Sequence, residues 1–481
     1  MKKKELAKTL IALLPIVVLV GLLALNISIF GSDAILGASQ VSLLFAAGIC
    51  VWLSIWLYKT PWKDFEDAIK ANVGDVTTAI VILFLIGAIS GTWMVSGVVP
   101  AFIYYGVKII SPKVFLLTAA LLCAVVSVMT GSSWTTIATI GVALLGIGRA
   151  EGFSDGVIAG AIISGAYFGD KISPMSDTTV MASSLNRVHL FEHIRYMVFT
   201  TGPSMVVALT VFTVMGLSHA GADASDIQLY TNALSTHFHI TPWLFVVPLL
   251  TGLMIWRRMP ALMVLALSTL TAAIAALIFQ PELVYQVGSG ITEGSKARVL
   301  LGGTIETIYN TVTIDTGNAA TDALLTSRGM LGMLNTVYLI ICAMFFGACM
   351  RASGMIADLS RLMMPLTRTR GGLVGSTVLT GTALNGIVSD QYLSIILTSH
   401  IYRESYESQG YETRLLSRSV EDSATVTSPL IPWSSCGMTQ ATILSVPTLV
   451  YAPFCLFNIL SPLMSFVVAL IGWKISKTIS E

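Results

Sequence analysis

Eight stretches of this chain are apolar over the length at which an α-helix crosses the hydrocarbon core of a bilayer, roughly 20 residues. They lie at 9–30, 38–58, 76–96, 193–217, 241–256, 260–280, 331–350 and 449–471. In lipid, every backbone N–H and C=O must find its partner inside the protein, so runs of this kind are helices. Composition agrees: 54% of the residues are hydrophobic and 11% charged, against about a quarter charged in soluble domains. The chain therefore reads as an all-α polytopic membrane protein. A net charge of +1 leaves no electrostatic footprint for nucleic acid. The six cysteines, Cys50, Cys123, Cys342, Cys349, Cys436 and Cys455, have no metal-type or disulfide-type spacing and read as small packing residues. MKKKELAK runs straight into the first apolar stretch, with no small-residue cleavage site after it. That stretch is read as a span rather than a leader.

Basic residues orient the spans, because Lys and Arg collect in cytoplasmic loops. Lys2, Lys3, Lys4 and Lys8 place the N-terminus inside, and Lys59, Lys63 and Lys70 do the same for the loop after the second span. Residues 218–240 contain no Lys or Arg and should lie outside. Arg257, Arg258, Arg351, Arg361, Arg368, Arg370, Lys474 and Lys477 then fall inside.

Two regions, 112–185 and 371–446, are apolar but punctuated by Gly, Ser, Thr and Pro. Parity requires each to cross an odd number of times. The simplest solution gives each a hairpin and one interrupted crossing. In the first region the hairpin is 112–148, bent at Thr130-Gly131-Ser132-Ser133, and the broken helix is 155–185. In the second the hairpin is 371–400, bent at Thr380-Gly381-Thr382, and the broken helix is 412–446, interrupted by SPLIP at 428–432. VMTGSSW (128–134) matches VLTGTAL (378–384), GTWMVSG (91–97) resembles GACMRASG (347–354), and Ser173-Pro174 corresponds to Ser428-Pro429. The three matches share one order, and the two units start on opposite sides. The expectation is two inverted-topology repeats, each with a helical hairpin and a discontinuous helix. The chain then divides into N-terminal spans (1–74), repeat one (75–192), connecting spans and an outer loop (193–330), repeat two (331–446) and a C-terminal span (447–481).

Interrupted segments at matching positions of inverted halves mark a transporter's midplane site. In GAYFGDKISPMSDTT (165–179), Pro174 breaks the helix and frees carbonyls near Gly169–Ser173. Asp170 and Asp177 add carboxylates, and Ser173, Ser176, Thr178 and Thr179 add hydroxyls. Such hard oxygen donors suit a cation like Na⁺, with Asp170 and Asp177 as its first ligands. A charge at the bilayer centre costs at least about 2.5–3.5 kcal/mol, which Lys171 would offset by pairing with a carboxylate. Thr130, Ser132, Ser133, Thr380, Thr382 and Asn385 offer neutral oxygens at the expected hairpin tips, and Ser428 sits at the second break. The bland alternative is a structural ion pair beside a proline kink. For Asp422, the neighbouring Arg418 makes a solvated cytoplasmic helix start as good a reading as a site, and Asp390 reads as solvated. His189 and His193 are spaced to share a metal on one helix face, but have no third ligand apart from Glu192 and read as a solvated loop, as do His237 and His239.

At these motifs the sequence resembles the NhaC-type sodium/proton antiporter family of the ion transporter superfamily. The likeness rests on GAYFGDKISPMSDTT (165–179), TGSSWTTIATIG (130–141), SPLIPWSSCG (428–437) and TDALLTSRGM (321–330). It implies exchange of Na⁺ for H⁺ by alternating access, with no cofactor. It also implies an elevator-like motion, a bilayer of the prokaryotic cytoplasmic membrane, and often a homodimer. Some members exchange malate and protons for lactate and sodium, so a Na⁺- or H⁺-coupled exchanger of a small organic anion stays open beside the first reading. An intramembrane aspartyl protease would need a Tyr-Asp pair and Gly-x-Gly-Asp. Asp170 follows Tyr-Phe-Gly and no Tyr-Asp occurs, so an enzyme is not expected.

Overall fold

The computed structural model describes residues 3–475 apart from 31–36, 220, 222–223, 258, 315–321, 323–324, 328 and 361–366. Lys2, Arg258, Arg361 and Lys477, and part of TDALLTSRGM, lie outside the described residues. All eight apolar stretches are helical. Uninterrupted examples are Lys3–Phe30, Thr77–Val95, Leu190–Leu217 and Ala261–Phe279, while the last stretch bends by 55° between Thr448–Phe454 and Leu456–Ile471. Six helices among the described residues are long and apolar enough to cross a membrane, or up to nine if each bent pair is one span. Large apolar side chains such as Phe45, Trp56, Val206, Leu249 and Ile278 are exposed on them, as a surface facing lipid rather than water allows. The chain is an all-α multi-pass membrane protein, and its six cysteines are free and buried.

Two helical features were not expected. Val98–Ile109 meets the preceding helix at 65°, across Gly97, whose φ of 85° suits a residue without a side chain. Pro281–Ser289 and Lys296–Tyr309 form a pair within the connecting region. A Cβ on Gly288 would lie 2.0 Å from the Val299 carbonyl oxygen, so these backbones touch directly.

In the first punctuated region two helical passes precede a broken helix. The hairpin runs up Pro112–Thr130, turns at Gly131-Ser132, and returns through 133–150. The broken helix is Asp155–Ile172, an extended stretch, then Asp177–Leu185. Glycines at four-residue spacing dock the two together. A Cβ on Gly165 would lie 2.1 Å from the Ala120 carbonyl oxygen, and one on Gly169 2.3 Å from that of Ala124. Small residues let membrane helices approach backbone to backbone, where association rests on packing rather than on water exclusion. That contact fixes the height of the break against the hairpin's turn.

The second hairpin departs from expectation. A single helix, Arg370–Ile387, runs through Thr380-Gly381-Thr382, and the turn comes at Val388–Asp390 before the helix Gln391–Ser408. Gly381 serves packing rather than turning: a Cβ there would meet the Ser423 hydroxyl at 2.4 Å. Thr380 shares a hydrogen bond of 2.7 Å with the Tyr402 hydroxyl. The turn thus comes eight residues beyond the Gly381 position that the likeness of VMTGSSW to VLTGTAL predicts, about two helical turns. The second broken helix, Thr413–Val420 continuing as a π-turn over Glu421–Thr425, breaks after Ser428–Leu430 and resumes as Ser435–Leu444.

Gly165→Val and Gly169→Val should each lower the thermal unfolding midpoint of the detergent-solubilised protein, because the new methyl groups strike backbone that cannot rotate away. Overpacking of this kind costs about 1–3 kcal/mol or more. Gly202→Val, whose Cβ meets nothing closer than 3.8 Å, should leave the midpoint unchanged.

Candidate ion-binding site

Asp170 lies in the last turn of the helix Asp155–Ile172 and is 7% exposed. Its partner is the first hairpin's tip. Gly131 ends the ascending helix with φ 66°, Ser132 is extended, and Ser133 opens the next helix. A Cβ on Gly131 would stand 2.6 Å from the Met175 carbonyl oxygen, so the tip is seated in the break. From there the Ser133 N–H donates to Asp170 Oδ2 at 3.0 Å and the Ser133 hydroxyl at 2.7 Å. The first N–H groups of a helix have no partner inside it, and a carboxylate is a fitting acceptor there. Thr130 and Ser132 shape this tip rather than reaching the carboxylate. Thr130 Oγ1 accepts from the Ser132 N–H at 3.2 Å, and Ser132 Oγ from the Thr135 N–H at 3.2 Å.

The break itself is held by hydroxyls. The Ser173 hydroxyl donates to the Val128 carbonyl at 2.8 Å and accepts from the Met175 N–H at 3.2 Å. Ser176 caps the second half-helix, and its hydroxyl lies 3.0 Å from that of Thr178. Thr179 donates to the Lys171 carbonyl at 3.0 Å. Asp177, expected as the second cation ligand, is exposed in the first turn of that half-helix, whereas Asp170 is buried.

Lys171 does pair with a carboxylate, but with one from the other broken helix. Its ammonium is ion-paired with Asp422 Oδ1 and donates to the Ser461 hydroxyl at 2.9 Å; both charged side chains are fully buried. Thr200 and Ser461 donate to the same carboxylate oxygen at 3.0 and 3.1 Å. Arg418 Nε stands 4.0 Å from Asp422 Oδ2, and its guanidinium lies 4.4 Å from the centre of the Tyr196 ring. Asp422 and Arg418, for which a solvated helix start and a site were equally good readings, are thus fully buried. The sequence hid this because the partners, Thr200 and Ser461 for Asp422 and Tyr196 for Arg418, are far away in the chain.

The second tip repeats the first one's backbone with different residues. Ser389 has φ 60° where Gly131 has 66°, and Asp390, like Ser132, is extended and caps the following helix. Asp390 Oδ1 accepts from the Leu393 N–H at 3.0 Å and Oδ2 from the Ser435 hydroxyl at 3.2 Å. The Ser435 N–H donates to the Ser389 carbonyl at 2.8 Å. This tip therefore seats in the second break, and Asp390 is buried rather than solvated. An Asp three residues before the N–H it accepts from, at the start of a helix, is a recognisable capping signal that the sequence reading passed over. Thr380, Thr382 and Asn385 are not at a tip. Asn385 Nδ2 donates to the Ala424 carbonyl at 2.7 Å and to Thr427 Oγ1 at 3.0 Å, closing off carbonyls that the break would otherwise free. Ser428 shares a 3.0 Å hydrogen bond with Ser434.

His193 is fully buried rather than in a solvated loop, with Nδ1 2.6 Å from the Ser417 hydroxyl. His237 and His239 are exposed. No group of three or more His, Cys, Asp or Glu among the described residues is placed to hold a resident metal ion.

Removing one member of a buried ion pair strands its partner and costs about 3–5 kcal/mol, whereas replacing both by apolar residues is often neutral. Asp422→Asn should destabilise more than Lys171→Met, because Asp422 faces two buried cations. The double variant Lys171→Met/Asp422→Leu should be more stable than Asp422→Asn. Thermal unfolding in detergent checks the order.

A multi-pass helical protein whose broken helices bring ionisable residues together in its interior is built as a secondary transporter is. A sequence model of the Na⁺/H⁺ antiporter family matches residues 2–184 and 165–473, and the chain belongs to that family. It is 35% identical over 416 residues to the Na⁺/H⁺ antiporter NhaC of Alkalihalophilus pseudofirmus, covering 86% of this chain and 87% of that one. It is 33% identical over 434 residues to NhaC of Bacillus subtilis, covering 90% and 91%. It is also similar to the malate-2H⁺/Na⁺-lactate antiporter of Bacillus subtilis, at 34% over 417 residues, 86% and 85% of the two chains.

Proposed function

We propose that this chain exchanges Na⁺ for H⁺ across the cytoplasmic membrane by alternating access, with Asp170 as the group that holds one cation or the other. The observation that carries the reading is the division of labour between two adjacent residues. Asp170 is buried at a helix break and held by neutral donors on Ser133, while Lys171 is committed to Asp422. Asp170 therefore keeps a negative charge that no fixed cation cancels, in a place where a bare charge is costly. Either a proton or a Na⁺ ion relieves that cost, and the two exclude each other. Ser173, Ser176 and Thr178 lie close by in the chain as neutral oxygen donors, and Asp177 would be the outer carboxylate that an arriving cation meets first.

The two hairpin-and-break units are the inverted repeats of this scheme, with both termini cytoplasmic, as the lysines and arginines at the span ends favour. The equivalent backbone turn at the two tips supports that pairing, with Ser389 answering to Gly131. Homodimeric assembly belongs to the same proposal.

A second reading is exchange of a small carboxylate coupled to Na⁺ or H⁺, as the name of the malate-lactate relative suggests for that protein. It is favoured by Arg418, a fully buried guanidinium whose three nitrogens have no hydrogen-bond partner among the described residues.

Purified protein in liposomes, with an imposed Na⁺ gradient and a pH-sensitive dye inside, tests both readings. Wild type should acidify or alkalinise the lumen according to the direction of the gradient without added organic anion. Asp170→Asn should reduce the signal to that of empty liposomes while unfolding at a wild-type temperature. Exchange at the wild-type rate by Asp170→Asn would remove Asp170 from the role. A signal that needs malate or lactate would favour the second reading.

A further inference from the structure

A pocket of about 620 Å³ opens beside the first turns of the helix Leu190–Leu217, lined by His189, Phe191, Glu192, Arg195, Tyr196, Phe199 and Arg414. Two apolar spans end at its level. Leu190–Leu217 begins there, and Leu456–Ile471 finishes there, since the Tyr196 hydroxyl donates to the Lys474 carbonyl at 3.0 Å and the Phe199 and Trp473 rings lie 5.3 Å apart. The ends of apolar spans lie at the depth of lipid headgroups, where exposed aromatic rings collect. Phe191 is 57% and Trp473 45% exposed. Beyond the pocket the same helices present open apolar flanks, at Val198, Leu470 and Ile471.

The charges around it are unequal. Arg414 is engaged by Glu192, at 3.2 Å, and by Glu412, and its guanidinium lies over the Tyr196 ring. Arg195 is exposed and makes no salt bridge with any described residue, and Lys474 follows Trp473 on the facing chain end. Arg195, Arg414 and Lys474 thus stand against Glu192 and Glu412, an excess of one positive charge.

We propose that this pocket binds the headgroup of an anionic phospholipid, its phosphate on Arg195 and its acyl chains along the flank formed by Val198, Leu470 and Ile471. Basic pockets between spanning helices are suited to acidic headgroups. The exposed apolar side chains on the same two helices select a lipid over a soluble phosphate. The leaflet is the one that the basic loops face, cytoplasmic in the orientation proposed above. The site lies at the start of the helix that supplies Thr200 to Asp422 and on the helix that carries Arg418, so an occupied headgroup site would brace the support of the Lys171–Asp422 pair.

The test uses the full chain in a neutral detergent and reads the unfolding midpoint after adding phosphatidylglycerol, phosphatidylcholine of the same acyl length, or inorganic phosphate at equal concentration. A ligand that binds only the folded state raises the midpoint. Phosphatidylglycerol should raise it above phosphatidylcholine, and inorganic phosphate should leave it unmoved. Arg195→Gln/Lys474→Gln, which breaks none of the ion pairs above, should lose most of the difference between the two lipids. Equal shifts from both lipids, a shift from phosphate that matches the anionic lipid, or an undiminished difference in the variant would each overturn the proposal.

Discussion

Asp170 and Lys171 are neighbours in the chain, yet their charges are kept apart, and the interior of this protein is arranged around that separation. On a helix, adjacent side chains leave the axis about a hundred degrees apart, so one faces the first hairpin and the other faces the second broken helix. Ser133 holds Asp170 with two neutral hydrogen bonds. Asp422 takes Lys171, helped by Thr200 and Ser461. Had Lys171 turned to Asp170, the carboxylate would have been cancelled by a fixed cation and would have little use for a mobile one. The Gly165 and Gly169 contacts with the first hairpin matter for the same reason, since they set the rotation and height of the helix that presents both residues.

The two breaks share a construction and differ in what they leave open. In each, a turn with a left-handed residue followed by an extended capping residue is seated in the gap of a broken helix, Gly131-Ser132 in one and Ser389-Asp390 in the other. At the first break a buried carboxylate meets the tip. At the second, Asn385 covers the Ala424 carbonyl and Asn458 the Val426 carbonyl at 2.8 Å, so amides satisfy backbone groups that would otherwise be free. The tip's own carboxylate, Asp390, is occupied by capping and by Ser435. The first break is thus the better candidate for a mobile ion, and the second is the better braced.

Much of this was legible in the sequence, for physical reasons that differ by element. Apolar length declared the spans, because the bilayer sets it. Pro174 and SPLIP declared the breaks, because a proline inside an apolar run removes a donor that lipid cannot replace. The first tip was legible through Gly131, where a glycine is used for its left-handed conformation. The second tip was misplaced because Gly381 looks the same in sequence and is used instead for close approach to Ser423, while a serine takes the left-handed position at 389. The burial of Asp422, Arg418 and Asp390 was not legible. The partners of the two carboxylates, Thr200, Ser461 and Ser435, are hydroxyl residues with nothing local to single them out, and only the packing brings them together.

The central claim, that one buried carboxylate holds either a proton or Na⁺, is tested most directly by counting protons. NaCl added to the purified protein in weakly buffered detergent, with choline chloride as the control, should release protons from wild type, about one for each Na⁺ bound where the free site is protonated, by linkage between the two ligands. The release should fade as the pH is raised and the site empties of protons beforehand, and Asp170→Asn should show none. Na⁺ binding without proton release at any pH, or undiminished release from Asp170→Asn, would contradict the account.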